Sequence, residues 1–282
     1  MVVTGLNTAS NYGDSNLGEH GTGELVFQKS NGGPFWTDPK IHKLKPTNGY
    51  ILTKTHCGSR CDKCGPENYV ENHHLFLKEC LETTYISNYT ENGDSIKSVG
   101  SYDKKLVARA VHLIRDPFDN IVSRFHLRHN RFVKLKDEDS LERYPKSREG
   151  FRAFCSDLSK LHTDEEEASK FYEDVIEVIR NVPCHADFFR YIQWHNLAFI
   201  STWDLQIPTL IIHYENYTNN FNKTKKRLLE FLEQEEVNEP PRFETGKTYR
   251  DYFSKEEINA ISKMFAMLAL DKTWHYTRHY FD

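Results

Sequence analysis

No run of apolar residues in this 282-residue chain is long enough to cross a bilayer, and the mean hydropathy is −0.69. A spanning helix needs about 20 consecutive apolar residues, so the sequence excludes one within its own length. Positive charge is not in excess either. Lys and Arg number 37 against 41 Asp and Glu, giving a net charge of −4 and a pI near 6.4. A broad basic field of the kind that draws in nucleic acid is excluded, and any anion site must be local. Internal repeats are absent, which argues against a solenoid. The sequence also lacks a Walker motif. Thr245-Gly246-Lys247-Thr248 mimics the end of one, but Pro241 stands where the first glycine belongs and no strand pattern precedes it. A chain of this length can bury about three quarters of its unfolded surface, so residues 1–282 read as a single domain.

The most informative stretch runs from Val107 to Ser123. Val107–Ile114 is a short apolar run rich in β-branched residues, the pattern of a buried strand. Asp116 suits an N-cap and Pro117 the first position of a helix, so the chain turns from strand to helix there. Phe118, Ile121, Val122 and Phe125 then form one apolar stripe, while Asp119 and Ser123 lie four residues apart on its flank. A strand that delivers Arg115 to a helix N-terminus has the form of a phosphate site. Such a terminus offers unpaired N–H groups, and an arginine fork pairs with anionic oxygens.

Arg115-Asp116-Pro117-x-Asp119-x-x-x-Ser123 resembles the 3′-phosphate-binding motif of sulfotransferases that use 3′-phosphoadenosine 5′-phosphosulfate (PAPS). The resemblance implies that Arg115 and Ser123 grip the nucleotide 3′-phosphate, that Asp116 and Pro117 shape the turn, and that Asp119 braces it. Upstream, Tyr50 to His56 reads as a strand ending in Lys54-Thr55-His56 and is similar to the Lys-Thr-His triplet of the same family. That likeness implies His56 as base toward the acceptor hydroxyl and Lys54 beside the transferring group. An imidazole titrates near pH ~6.5, and an ammonium offsets charge growing on the leaving oxygen. Gly246 to Phe253 resembles a loop that closes the nucleotide pocket in many sulfotransferases, which would bring Lys247 to the 3′-phosphate. Thr209–His213 followed by Tyr214-Glu215-Asn216 matches a further family landmark.

One family feature is missing. The glycine-rich phosphosulfate loop should precede these motifs, yet residues 1–47 are loop-rich with no strand leading into a compact glycine turn. The expected fold is therefore an α/β, P-loop-like parallel sheet flanked by helices, with its first strand and loop upstream of residue 1. The function implied is sulfuryl transfer from PAPS to a hydroxyl-bearing acceptor, a carbohydrate being one such class, with no metal and no nucleic-acid partner. The alternative is a non-catalytic or truncated nucleotide-binding relative.

Glu149–His162 and Thr163–Asn181 read as two helices, the second opened by a Thr163/Glu166 capping box, and Asp187–Ser201 as another. Phe221, Lys225, Leu228 and Leu232 mark a further helix. Ser254 and Glu257 cap the last, with Phe253 and Ile258 as its staple. Of the cysteines, Cys57, Cys61 and Cys64 form C-x3-C-x2-C, a spacing that holds an iron–sulfur cluster in radical S-adenosylmethionine enzymes or could hold zinc. Lys63 stands where those enzymes carry an aromatic residue. Disulfides and free thiols are the other readings: an even count of six cysteines and sequons at Asn88, Asn216 and Asn222 suit disulfides in a secreted glycoprotein. The Golgi lumen is thus favoured over the cytoplasm, with room for a membrane anchor upstream.

Overall fold

A computed structural model describes residues 8–10, 12–13, 52–54, 57–58, 69–90, 95–101, 104–169, 171–240 and 246–282. The strands and helices among them are, in order, β1 (Thr8–Ser10), β2 (Tyr12–Gly13), β3 (Leu52–Lys54), α1 (His73–Leu81), β4 (Glu82–Tyr89), β5 (Ser95–Ser101), β6 (Ala110–Ile114), α2 (Pro117–Leu135), α3 (Glu138–Arg143), α4 (Arg148–Ser169), α5 (Glu173–Ile179), α6 (His185–Asp204), β7 (Thr209–His213), α7 (Asn216–Asn219), α8 (Phe221–Leu232), α9 (Lys255–Leu268) and α10 (Asp271–Thr277). Helix dominates. The strands form three small sheets instead of the single parallel sheet expected: β1 beside β3, β2–β4–β5, and β6 beside β7. β6 and β7 are parallel, in register from Ala110↔Thr209 to Ile114↔His213, and their helical crossover is the α/β feature the sequence implied. β4 and β5 form an antiparallel hairpin that the sequence reading did not anticipate.

The main core explains why α2 sits where it does. Phe118, Ile121, Val122 and Phe125, the stripe read from the sequence, are all buried and pack with Phe151, Phe188, Phe253 and Phe265 from α4, α6 and the α9 region. Rings meet edge to face, as Phe118 does with Phe188 and Phe253 at 6.1 and 5.1 Å. A second, smaller cluster joins Ile114, Phe199, Ile211 and Tyr280 around the β6–β7 pair. Among the described residues, the disulfides Cys57–Cys80 and Cys155–Cys184 add covalent ties.

Several boundaries differ from the sequence reading. The strand begins at Ala110, because a 3-10 turn (Lys104–Leu106) precedes it and Val107–Arg109 is irregular. α4 runs unbroken through Thr163, which is no N-cap: its hydroxyl donates to the Ser159 carbonyl one turn back. The break comes instead just before Tyr172, the residue that precedes α5. Ser254 and Glu257 do form a reciprocal capping box, but the helix they open is followed by α10. Pairing of Cys57 with Cys80 removes Cys57 from any cluster-binding set, which overturns the metal and radical reading of C-x3-C-x2-C; Cys61 and Cys64 lie outside the described residues. Among the described residues, no helix is long and apolar enough to cross a membrane.

Candidate functional site

β6 ends at Ile114, and the next two residues carry the site. Asp116 caps α2, its Oδ1 accepting from the N–H groups of Phe118 at 2.8 Å and Asp119 at 3.3 Å. Pro117 has no N–H, and Asn120 N–H is bonded to the Asp116 carbonyl. The donors of this helix terminus are therefore already taken, contrary to the expectation that they stand open to an anion. Any anion contact here would fall to side chains.

Arg115 is the foremost of these. Its carbonyl accepts from the Tyr191 hydroxyl at 2.6 Å, and its guanidinium lies 4.9 Å from the centre of the Tyr214 ring. Its Nε is buried and has no hydrogen-bond partner. An orphaned buried cationic N–H is costly unless something accepts from it, and an anionic oxygen does so well.

The register of β6 and β7 places the two strand ends side by side. Arg115-Asp116 follows Ile114 just as Tyr214-Glu215 follows His213. Tyr214 N–H donates to the Ile114 carbonyl at 2.7 Å, and Asp116 N–H donates to Glu215 Oε1 at 2.9 Å. Glu215 Oε2 accepts from the Tyr280 hydroxyl at 2.8 Å, and that hydroxyl is 2.8 Å from His213 Nδ1. The network ties the end of the chain to the turn that holds Arg115.

Asp119 is buried and accepts from Tyr249 N–H at 2.6 Å. It thereby fastens the loop carrying Lys247 to α2, one turn before the partly exposed Ser123. Lys247 itself is exposed, and its charge helps hold His126 neutral: burial first, then Lys146, His129 and Lys247, lower the His126 pKa to about 4. Arg250, three residues on, lies 5.0 Å from the Phe118 ring centre and donates to the Tyr280 carbonyl.

Three carboxylates crowd this centre, and burial acts on two of them. The Asp116 pKa rises from 3.8 to about 6, chiefly by desolvation and then by the charge of Asp119, with a smaller push from Glu215. Asp119 is also raised by burial, with Arg115 acting to lower it. Burial, then the charges of Asp116 and Glu215, keeps the Tyr191 phenol protonated well beyond its usual range. Tyr280 is raised by burial and Glu215, so both phenols remain hydrogen-bond donors.

Of the residues expected at the site, Arg115 follows directly on β6, Ser123 lies in the second turn of α2, and Lys247 lies on the loop that Tyr249 ties to Asp119. Lys54 ends β3, while His56 falls outside the described residues. Its neighbour Cys57 is anchored: Trp194 Nε1 donates to the Cys57 carbonyl at 2.8 Å. Trp194 stands three residues after Tyr191 on α6, so one helix holds both the Arg115 carbonyl and the chain next to His56. Sequence reading gave no part to Tyr191, Arg250 or Tyr280. Glu215 does carry a usable signal in the sequence, since it follows a buried strand at the same offset as Asp116.

The family model described as the sulfotransferase domain matches residues 95–280. No curated protein and no solved structure matches the chain. The matched span takes in well over half of the chain and contains β6, Arg115, α2, β7, Glu215 and the Lys247 loop, so the chain belongs to the sulfotransferase family, whose members are transferases of the sulfuryl group.

Proposed function

We propose that the chain transfers a sulfuryl group from PAPS to a hydroxyl acceptor on a carbohydrate, using a P-loop-like nucleotide site at the carboxyl end of β6. The observation that carries this reading is the buried, unpartnered Nε of Arg115 where β6 hands over to α2. When bound, PAPS would supply the sulfuryl group in activated form. Arg115 would hold the 3′-phosphate through its guanidinium, with the Ser123 hydroxyl as a second donor from the flank of α2. Lys247 would add charge from the loop that Asp119 tethers. Asp116 serves the turn, and Glu215 and Tyr280 hold that turn against β7.

His56 would take the proton of the acceptor hydroxyl, and Lys54 would offset charge on the leaving oxygen. Support for their nearness to Arg115 comes from the α6 anchors at Arg115 and Cys57. The disulfides and the Asn88, Asn216 and Asn222 sequons suit a glycoprotein of the Golgi lumen. Calorimetric titration with adenosine 3′,5′-bisphosphate, paired with transfer of labelled sulfate to a panel of carbohydrates, tests the reading. Binding that ignores the loss of Arg115 would sink the nucleotide assignment, and transfer to hydroxyls other than carbohydrate would sink the acceptor class.

A further inference from the structure

Away from Arg115, the C-terminal end of α6 and the start of α1 bring three residues together. His73 Nε2 lies 3.2 Å from Ser201 Oγ, and His73 Nδ1 lies 3.3 Å from Asp204 Oδ2. Ser201 is buried, His73 is partly exposed and Asp204 is half exposed. A hydroxyl hydrogen-bonded to an imidazole, whose other nitrogen faces a carboxylate, is the arrangement that raises a serine from a weak nucleophile to a reactive one. The imidazole accepts the hydroxyl proton, and the carboxylate orients the ring and stabilises its charged form.

Ser201 also lines a cavity of about 400 Å³ between α1, α6 and β6. Its walls are mostly apolar, with Phe76, Leu81, Val111, Leu113 and Trp194 among them. That volume is in the range of small-molecule sites. Val111 and Leu113 of β6 line the same space. In the parallel ladder, Ala110, His112 and Ile114 exchange hydrogen bonds with β7, as Ala110 N–H to the Pro208 carbonyl and Tyr214 N–H to the Ile114 carbonyl show. The N–H groups of Val111 and Leu113 therefore point to the other edge of β6, which pairs with no strand among the described residues. Such N–H groups are the kind that stabilise a developing oxyanion.

We propose that Ser201, His73 and Asp204 form a second nucleophilic site, opening on this cavity, that takes an acyl group from a small apolar ester. Ser201 Oγ attacks the ester carbonyl carbon as its proton passes to His73 Nε2. The bond from that carbon to the alcohol oxygen then breaks, the departing oxygen takes the proton from His73, and the acyl group stays on Ser201. A water molecule then gives its proton to His73 as its oxygen attacks the acyl carbon; the bond from that carbon to Ser201 Oγ breaks, Oγ takes the proton back from His73, and the acid leaves. No oxidant or cofactor enters.

The test uses the full chain and two probes, a short-chain alkyl fluorophosphonate and p-nitrophenyl butyrate. The expected result is one phosphonyl adduct, mapped to Ser201 by peptide mass spectrometry, and release of p-nitrophenol. His73→Gln slows both by about 10²–10⁴-fold, the range for loss of a general base, and Asp204→Asn slows them less. Neither reaction needs PAPS, so both proceed in its absence and the outcome is independent of the nucleotide site. An adduct elsewhere than Ser201, no adduct on the folded wild-type chain, or an equal rate in His73→Gln overturns the proposal.

Discussion

Asp116→Asn isolates one electrostatic cost at the centre of the proposed nucleotide site. Asp116 both caps α2 and carries a charge that its surroundings disfavour, and asparagine separates the two roles. Asn caps helices about as well as Asp, and its Oδ1 can accept from Phe118 and Asp119 N–H as the carboxylate does. The charge, however, disappears. A carboxyl raised from 3.8 to about 6 on folding binds its proton more tightly in the native than in the unfolded state. The native state is therefore penalised above pH about 6, the penalty fades as pH falls through that value, and it is gone below the unfolded pKa of 3.8. Its full size is about 3 kcal/mol at neutral pH, an order-of-magnitude figure. Asp116→Asn should accordingly gain about 1–3 kcal/mol of stability near pH 8 and almost nothing near pH 4. Urea denaturation followed by tryptophan fluorescence across that range reads the difference. Nucleotide affinity should also rise slightly, since an anionic ligand at Arg115 would meet one negative charge fewer. A variant less stable than wild type near pH 8, or a gap that does not change with pH, would refute the claim that burial strains this carboxylate.

Arg115→Ala should weaken binding of adenosine 3′,5′-bisphosphate by about 2–4 kcal/mol and Ser123→Ala by about 1 kcal/mol, read by calorimetry; an unchanged Kd in Arg115→Ala is the adverse result. Reduction of the disulfides should lower the thermal midpoint, because Cys57–Cys80 and Cys155–Cys184 span sequence separations of 23 and 29, each worth about 3.5 kcal/mol by loop entropy. Identical melting curves with and without reductant would contradict the pairing. In any form of the protein that transfers sulfate, His56→Ala should slow transfer by about 10²–10⁴-fold with nucleotide affinity intact. Full transfer by that variant removes His56 from the mechanism.

The parts of the site legible in the sequence are those that local spacing encodes. The strand ending at Ile114, the Asp116 cap, Pro117 and the apolar stripe of α2 lie within one short stretch, where cap chemistry and helical period suffice. The split expected at Thr163 failed for a related reason: a Thr followed by acidic residues is a start signal only if the preceding turn has ended, and here α4 continues through it. Mixed small sheets were equally beyond reach, since the β4–β5 hairpin is fixed by pairing and its strands lack an apolar alternation strong enough to announce them.

What the sequence could not show is how the turn around Arg115 is held, because each restraint comes from far along the chain. Glu215 reaches Asp116 across 99 residues, Tyr191 reaches the Arg115 carbonyl across 76, and Tyr249 reaches Asp119 across 130. These contacts change what the motif means. Read locally, a capped helix start beside an arginine suggests that the helix amides bind the anion. With Asp116 occupying those amides and Glu215 fixing Asp116 in turn, the backbone of α2 is spent on shaping the turn, and in the proposed site recognition would pass to the Arg115 guanidinium. A net charge of −4 is consistent with that proposal: a single arginine with an unpartnered Nε, backed by aromatic and hydrogen-bonded walls, would need no wider basic field to select an anion.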